Sequence, residues 1–387
     1  MYELVHKAYF RGFSASDRNM RLPASFLGGL FVLILAQVAP AQSGRMSPTP
    51  TPPQREDDTV RVVTEEIKLN VLAFDEEGKF VQDVNGRDLV ITDNDVLHQP
   101  SSVRRTPANV LIVMDTGGEM RSVKSLDRTR KTAREIVNAL RPEDQVALIQ
   151  YADTAEIVTE WTTDKKQALT AIGRTKFGRR DAFVPALNLA RGFMMKSGLD
   201  NKHLVLITDG TDSGGDPSAK HDALRALLST DISVHVLSYT KMEADDIAPR
   251  TKMISNTQPP KAMPDEVAAQ LPPGVRDVAT APKNKTINMD RSLLKKLRAR
   301  KADLENSEEQ LNTLADNTNG EFIVPQSTDE MVEKASLVAR MIDSSYVVTY
   351  TPKSPVSGNG GERNITVTSK RPGLVVEAKR KLIFAGN

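Results

Sequence analysis

The chain has 387 residues, which is long enough for two or three domains. Its 52 basic and 50 acidic residues leave a formal charge of only +2, so the overall charge does not favour nucleic acid or an anionic membrane surface as a partner. The absence of cysteine excludes disulfide bonds, thiol catalysis, cysteine-ligated zinc and a lipoprotein anchor on an acylated cysteine.

The N-terminal segment has the pattern of a secretory signal. Two arginines precede the apolar run 26–36, and the small-residue sequence Val38-Ala-Pro-Ala41 follows it. A basic region, a short apolar core and an A-x-A-like site are the parts of a signal peptide. We therefore expect residues 1–41, or a shorter signal that starts at Met20, to direct export to the periplasm or the exterior. The alternative is an uncleaved anchor, because the apolar run is near the lower length limit for spanning a bilayer. After cleavage, no stable membrane span is expected.

Two β-rich segments bracket the middle of the chain. Residues 42–59 are rich in Pro and Thr and predict an extended linker. Residues 60–105 and 344–387 then show strand patterns separated by turn signals, at 60–63, 67–74, 89–92, 345–350, 363–369 and 374–384. Because no helical pattern interrupts either segment, we predict that they pack together as one β-sandwich-like domain.

The segment between them, 106–343, alternates strand and helix patterns. The strands are predicted at 110–114, 145–151, 155–161, 203–208, 232–238 and 321–324, and the helices at 125–140, 165–172, 183–195, 219–228, 290–315 and 329–342. This order predicts an α/β fold with a doubly wound, mostly parallel sheet. The close pair 145–151 and 155–161 predicts a hairpin at the sheet edge. Residues 241–289 interrupt the alternation and predict a loop insertion.

Two of the buried strands run directly into an acidic residue. Val110-Leu-Ile-Val-Met precedes Asp115, and His203-Leu-Val-Leu-Ile-Thr precedes Asp209. Ligands of open α/β sheets bind beyond the carboxyl ends of the strands. We therefore expect Asp115 and Asp209 to meet at one edge of the sheet and to form an acidic site that attracts cations.

The order of elements and the two acid-bearing strands resemble the von Willebrand factor A domain. More closely, the chain resembles exported proteins with such a domain that are frequent in acidobacterial genomes. The resemblance covers about 60–384 and is carried by the segments 110–119, 140–149, 206–210, 314–320 and 346–352. It implies protein–protein interaction through the carboxyl edge of the sheet. We expect no enzymatic activity and, from the balanced charge, no binding of nucleic acid.

The family's metal-ion-dependent adhesion site consists of an Asp-x-Ser-x-Ser loop, a threonine on a second loop, and an aspartate after the fourth strand. By this resemblance Asp115 and Asp209 match the two aspartates, whereas the serine positions fall on Gly117 and Glu119 and the threonine position on Asp181. The resulting set Asp115, Glu119, Asp181 and Asp209 is a candidate site for a divalent cation, Mg²⁺ or Ca²⁺.

Two interpretations of this site stay open. One is a degenerate but functional metal site. The other is a vestigial, metal-free site, in which the carboxylates repel one another unless Arg179 or Arg180 neutralises them.

We expect an exported, adhesion-type interaction protein whose loops 115–121, 178–184 and 209–217 form the partner surface around Asp115 and Asp209. The alternative is a structural or envelope-assembly protein whose acidic edge is covered by the insertion. The basic run within 291–301 is expected to lie on a solvated helix because acidic residues follow it directly. His203 and His235 lack zinc-site spacing and are expected in or beside strands.

Overall fold

The computed structural model describes residues 66–118, 124–251, 272, 291–354 and 361–384, and the elements are numbered over these residues. The chain separates into two units, 1–61 and 62–387, and every described residue belongs to the second. The predicted signal, the linker and the strand at 60–63 lie outside the described residues, as does 252–289 of the predicted insertion except residue 272.

A mostly parallel sheet forms the centre of the described unit. Its order is β10–β9–β8–β5–β6–β7, and each neighbouring pair is parallel except the β6–β7 hairpin at the edge. The strands are β5 (Asn109–Asp115), β6 (Gln145–Tyr151), β7 (Ala155–Thr162), β8 (Lys202–Thr208), β9 (Ser233–Ser238) and β10 (Phe322–Ile323). Every residue of β5 and β8 is buried, as expected for strands covered on both faces. The predicted doubly wound sheet and its edge hairpin are confirmed.

Helices cover both faces of this sheet. They are α1 (Leu126–Ala139), α2 (Lys165–Arg174), α3 (Phe183–Lys196), α4 (Pro217–Leu228), α5 (Thr240–Thr251), α6 (Arg291–Asn317) and α7 (Thr328–Asp343). Successive side chains of a strand point to opposite faces. Val110 and Ile112 of β5 accordingly pack in a cluster with α1, α2 and α7, while Leu111 and Val113 pack with α3, α4 and α6.

The start of the predicted loop insertion is a helix instead. Helix α5 covers Thr240–Thr251, so the prediction of a loop was wrong for 241–251. Its apolar residue Ile247 is buried against Leu297 and Leu304 of α6. The single Pro249 lies in the last turn of α5 and does not prevent this packing.

The flanking segments form two antiparallel sheets, in the orders β13–β1–β11–β4 and β14–β12–β2–β3. Their strands are β1 (Ile67–Phe74), β2 (Leu89–Asp93), β3 (Val96–His98), β4 (Ser102–Arg104), β11 (Ser345–Tyr350), β12 (Gly361–Ser369), β13 (Val375–Glu377) and β14 (Lys379–Phe384). One apolar cluster joins both sheets, with Val71 and Val348 from the first and Ile91 and Val367 from the second. The N- and C-terminal β segments therefore share one core, as predicted.

Two details of these sheets differ from the predictions. The segment 374–384 was predicted as one strand, but it divides at Ala378 into β13 and β14, which belong to different sheets. The short strands β3 and β4 were not predicted.

The β domain contacts the amino edge of the central sheet. Asn70 of β1 donates from Nδ2 to Ser233 Oγ at 3.0 Å, and Lys68 pairs with Asp200 just before β8. Arg380 donates from Nη2 to the carbonyl oxygen of Ile232 at 3.0 Å. Asp115 and Asp209 come at the carboxyl ends of β5 and β8, so they lie at the opposite edge of the sheet from the β domain.

Candidate functional site

Three of the four predicted acidic residues meet at the carboxyl edge of the central sheet. Asp115 ends β5, and Asp209 directly follows β8, its neighbour in the sheet. Asp181 comes from the loop that precedes α3. All three are buried. Glu119 lies outside the described residues, so its membership of the cluster stays a prediction.

A lysine that the sequence patterns did not predict lies among these carboxylates. Lys124 Nζ is 2.7 Å from Asp115 Oδ2, 3.1 Å from Asp209 Oδ2 and 3.5 Å from Asp181 Oδ1. The lysine side chain is only 5% exposed. Lys124 directly precedes Ser125, which caps α1 by accepting a hydrogen bond from the Arg128 amide. One ammonium group thus connects three carboxylates from three separate segments of the chain.

A second unpredicted cation reaches the cluster from α6. Arg300 Nη2 donates to Asp209 Oδ2 at 3.0 Å and to Glu243 Oε2 of α5 at 2.9 Å. The basic run that contains Arg300 was expected to be solvated, and this was wrong for Arg300. The sequence did contain a signal that Arg300 faces inward. It lies three residues after Leu297 and four before Leu304, on the buried stripe of α6.

Helix α6 also covers the end of β8. A Cβ atom on Gly210 would lie 2.6 Å from Leu311 Cδ1, and Ser307 Oγ donates to the Gly210 carbonyl oxygen at 3.3 Å. Asp115 and Asp209 are 0% exposed. The expectation that these two aspartates form the centre of a partner surface was therefore wrong, because no partner can touch them in this arrangement.

The predicted neutralising residues lie elsewhere. Arg179 and Arg180 are exposed, and neither forms an ion pair with another described residue. Lys124 and Arg300 supply the positive charge instead. Arg180 contributes only its backbone to the loop structure, through a hydrogen bond from its amide to Asp153 Oδ1 at 3.1 Å.

The loops around the cluster are tied to each other by short hydrogen bonds. The Asp181 amide donates to Ser213 Oγ, and the Ser213 amide donates to the Asp181 carbonyl oxygen, each at 2.8 Å. The Val184 amide at the start of α3 donates to Asp212 Oδ2 at 2.7 Å. We call residues 178–181 and 211–218 the rim loops; residues 179–180 and 213–218 within them are exposed.

Gly117 permits the close approach of one rim loop. A Cβ atom at this position would lie 1.9 Å from the Arg180 carbonyl oxygen and 2.8 Å from Asp181 Oδ1. Real Cβ atoms do not approach other atoms so closely, so a serine at position 117 is incompatible with the present position of the loop. The Gly117 amide instead donates to Asp115 Oδ1 at 3.1 Å.

Burial and the neighbouring charges set the ionisation of the cluster. Burial raises the pKa of Asp181 to about 8, with Asp115 adding to the effect. Burial likewise raises the pKa of Glu243 to about 7, with Asp209 adding to it. Burial opposes ionisation of Asp209, but Lys124, Arg300 and the hydrogen bonds from Thr211 hold its pKa below the ordinary value.

The lysine stays charged in this environment. Burial opposes the charge on Lys124, but Asp115, Asp209 and Asp181 together raise its pKa well above the ordinary value. Lys124 and Arg300 therefore compensate part of the negative charge of the cluster, and the raised pKa values of Asp181 and Glu243 reduce that negative charge further.

The described members of the predicted metal set do not fit a divalent ion in this arrangement. The point where the three carboxylates converge holds the ammonium group of Lys124, and Gly117 offers no side-chain ligand. Among the described residues, no group of three or more His, Asp or Glu side chains is arranged to hold a metal. Metal binding by Asp115, Glu119, Asp181 and Asp209 stays a prediction.

Solved structures similar to this chain include several A-type domains. A von Willebrand factor type A protein from Catenulispora acidiphila is 10% identical, with 83% of this chain and 75% of that chain covered and a TM-score of 0.40. BatB from Bacteroides thetaiotaomicron is 16% identical, with coverages of 61% and 98% and a TM-score of 0.38. The manganese-loaded TRAP protein of Plasmodium vivax is 9% identical, with coverages of 82% and 98% and a TM-score of 0.36.

A search of curated proteins found no match. Among the described residues, no helix has the length and apolar character needed to cross a bilayer. The closer resemblance to exported acidobacterial proteins stays a prediction. Residues 110–211 match the sequence model of the von Willebrand factor type A domain, which spans the strands that deliver Asp115 and Asp209. The chain therefore contains a von Willebrand factor type A domain.

Proposed function

We propose that the protein is an exported, non-enzymatic interaction module that binds a protein partner through the rim loops of its von Willebrand factor type A domain. Such domains typically mediate protein–protein interaction, which supports the class of function. The observation that carries the proposal is the reciprocal pair of 2.8 Å hydrogen bonds between Asp181 and Ser213. These bonds fix the two rim loops relative to each other, while much of the surface of the loops stays exposed. The rim loops therefore form a preorganised binding surface.

The exposed arginines indicate the chemistry of the partner. Arg179 and Arg180 project from one rim loop, and their side chains make no ion pair with the described residues. Arginine forms bidentate, charge-assisted hydrogen bonds with carboxylates and is enriched at protein interfaces. The proposed partner therefore presents an acidic patch, which the arginines contact directly rather than through a metal ion.

The burial of the acidic cluster supports a non-enzymatic role. A general acid or base must come within hydrogen-bonding reach of the substrate. Asp115 and Asp209 are fully buried, and Asp181 is 3% exposed. Their carboxylates bond to Lys124, and Asp209 also bonds to Arg300. The raised pKa of Asp181 thus belongs to a group that substrate does not reach.

Affinity capture from an envelope fraction tests the proposal. The tagged protein should retain its partner both with and without a chelator, and Arg179→Glu/Arg180→Glu should lose it because the variant places like charges opposite an acidic patch. Lys166→Glu/Lys196→Glu is the matched control, since it makes the same charge change at exposed positions of α2 and α3. Capture that survives the arginine change, or that requires a divalent ion, contradicts the proposal.

A structural role in envelope assembly is the second candidate. The covering of the carboxyl edge by α6, which places Leu311 against Gly210, favours it. In that case the protein captures no separable partner, and limited proteolysis leaves the rim loops uncut in the assembled envelope. Cleavage at 213–218 in the free protein, with protection on adding the captured partner, supports the interaction module instead.

Export is the part of the proposal that depends on residues 1–41. Its support is the basic, apolar and small-residue pattern that ends at Ala41. Cell fractionation and N-terminal sequencing of the mature protein test it. The expected product starts at Gln42 and is periplasmic or secreted, and an intact N-terminus in the membrane fraction indicates the anchor alternative.

A further inference from the structure

We propose that Lys124 is a built-in replacement for a divalent ion: its ammonium group holds Asp115, Asp181 and Asp209 together, and removing its side chain converts the cluster into a divalent-cation site. The inference deepens the proposed function, because it defines the metal requirement of the same edge of the sheet. Its test uses no partner, so it and the proposed function can fail separately.

The positions of the three carboxylates support this role. Nζ of Lys124 lies within 3.5 Å of one oxygen from each of Asp115, Asp181 and Asp209. A lysine ammonium has three donors, and here each faces a carboxylate from a different segment. A bound Ca²⁺ or Mg²⁺ connects oxygen ligands from different loops in the same way. The ammonium group of Lys124, which is covalently part of the chain, therefore connects the three segments as a bound divalent ion would.

The total charge supplied to the cluster also corresponds to that of a divalent ion. Lys124 and Arg300 each bring one positive charge, and both contact Asp209 Oδ2, at 3.1 and 3.0 Å. The two side chains come from different elements, Lys124 from the residue before the N-cap of α1 and Arg300 from α6. The same two positive charges are thus divided between two side chains instead of residing on one ion.

The two glycines that follow Asp115 make room for this arrangement. A Cβ atom on Gly118 would lie 3.1 Å from Lys124 Cε and 3.2 Å from its Nζ, and Gly118 has a φ of +125° that side chains disfavour. Gly117 has no space for a side chain because of the Arg180 carbonyl oxygen. The loop therefore has no space for a hydroxyl ligand at 117, and the missing side chain at 118 leaves space for the lysine stem.

Metal titration of three proteins tests the inference. The wild type, Lys124→Ala and Lys124→Arg are freed of metal with a chelator and titrated with Mn²⁺, followed by electron paramagnetic resonance, and with Ca²⁺, followed by thermal unfolding. The wild type and Lys124→Arg should bind no Mn²⁺ and show no shift of the unfolding midpoint. Lys124→Ala should have a lowered midpoint that rises saturably with either ion, because the three carboxylates then lack their cation. Adding Asp209→Asn to Lys124→Ala should abolish both the Mn²⁺ binding and the rise of the unfolding midpoint.

Two results overturn the inference. One is Mn²⁺ binding by the wild type that Asp209→Asn removes. The other is a folded Lys124→Ala protein that binds no divalent ion. If Lys124→Ala does not fold, the native wild type is reductively methylated instead, and mass spectrometry measures how fast each lysine reacts. Lys124 is expected to stay unmodified while the exposed Lys166 and Lys196 react, and modification of Lys124 at their rate contradicts the proposed burial of its ammonium group.

Discussion

Lys124 and Asp115 form a buried ion pair, with 2.7 Å between Nζ and Oδ2 and side chains that are 5% and 0% exposed. A buried pair adds little net stability compared with apolar residues of the same size, because both charges lose their hydration. Removal of one partner is costly, since it leaves the other charge buried without compensation. The pair therefore makes the fold depend on the presence of both residues together.

Lys124→Met should lower the free energy of unfolding by about 3–5 kcal/mol, because three buried carboxylates lose their shared cation. Urea denaturation measures the loss. Lys196→Met, at an exposed position of α3, is the control and should stay within about 0.5 kcal/mol of the wild type. Asp115→Asn should restore part of the stability of Lys124→Met, and purely additive losses in this double-mutant cycle would show that the two side chains do not interact.

Gly117→Ala should destabilise the protein, because the new Cβ atom would lie 1.9 Å from the Arg180 carbonyl oxygen and the rim loop must move. The expected loss is about 1–3 kcal/mol, the usual range for overpacking. Gly192→Ala is the matched control, since this helical glycine of α3 has nothing within 4 Å of the new Cβ. Alanine favours a helix over glycine, so the control should gain about 0.5–1 kcal/mol. Thermal unfolding of both variants checks the prediction, and a Gly117→Ala protein as stable as the wild type would contradict the close approach.

Periodicity and composition predicted most of the fold. Continuous apolar runs such as 110–114 indicated central parallel strands, and the short gap between 151 and 155 indicated the edge hairpin. The strand at 374–384 was predicted without its division at Ala378, because a change of sheet leaves no mark in an alternating pattern. Helix α5 was missed because its proline and its charges are typical of a loop, and its burial comes from α6, fifty residues later in the chain.

The acidic residues of the site were predictable, and the cations were not. Asp115 and Asp209 follow neighbouring strands, so the topology alone brings them together. No motif around Lys124 distinguishes it from an exposed lysine, and only the fold shows that its side chain is buried. Arg300 did carry a signal, since it interrupts the apolar stripe of α6 between Leu297 and Leu304.

Arg300→Met should loosen α5 and α6 near the cluster, because it removes the ion pairs that Arg300 forms with Asp209 and Glu243. Hydrogen bonds to charged groups contribute about 1.5–3 kcal/mol, and a loss of that size is expected. Hydrogen exchange should show faster exchange of the amides of α5 and of 295–305, with β5 and β8 unchanged. Lys296→Met, an exposed neighbour on the same helix, should leave these amides protected. Uniform loss of protection across the domain would show that Arg300 does not act locally between α5, α6 and the cluster.

A chain of hydrogen bonds fixes both buried histidines in their neutral forms. The Glu321 amide donates to His235 Nδ1 at 3.2 Å, so the proton of this ring is on Nε2, which donates to His203 Nδ1 at 3.1 Å. His203 in turn donates from Nε2 to Asn201 Oδ1 at 2.9 Å. Each ring nitrogen takes part in a hydrogen bond, so a proton added to either ring would point at another hydrogen-bond donor. The prediction that these histidines lie in or beside strands is confirmed by their positions in β8 and β9.

This pair should make the protein less stable in mild acid. Burial lowers the pKa of His235 to about 4, and burial together with His235, Arg141 and Arg380 lowers the pKa of His203. An unfolded histidine titrates near about 6.5, so between about pH 6.5 and pH 4 the unfolded chain binds protons that the folded chain does not. The contribution of this histidine pair to the free energy of unfolding therefore falls as the pH falls through this window.

His235→Gln should remove one of these protons and reduce the acid-induced loss by up to roughly 3 kcal/mol at about pH 4. The raised pKa values of Asp181 and Glu243 act in the opposite direction, since those groups favour folding as the pH falls. They are present in both proteins and cancel in the difference. Urea unfolding across the window from about pH 7 to about pH 4 measures the slopes. His221→Gln, at an exposed position of α4, should keep the wild-type slope. Parallel slopes for His235→Gln and the wild type would mean that the buried pair does not control the acid response.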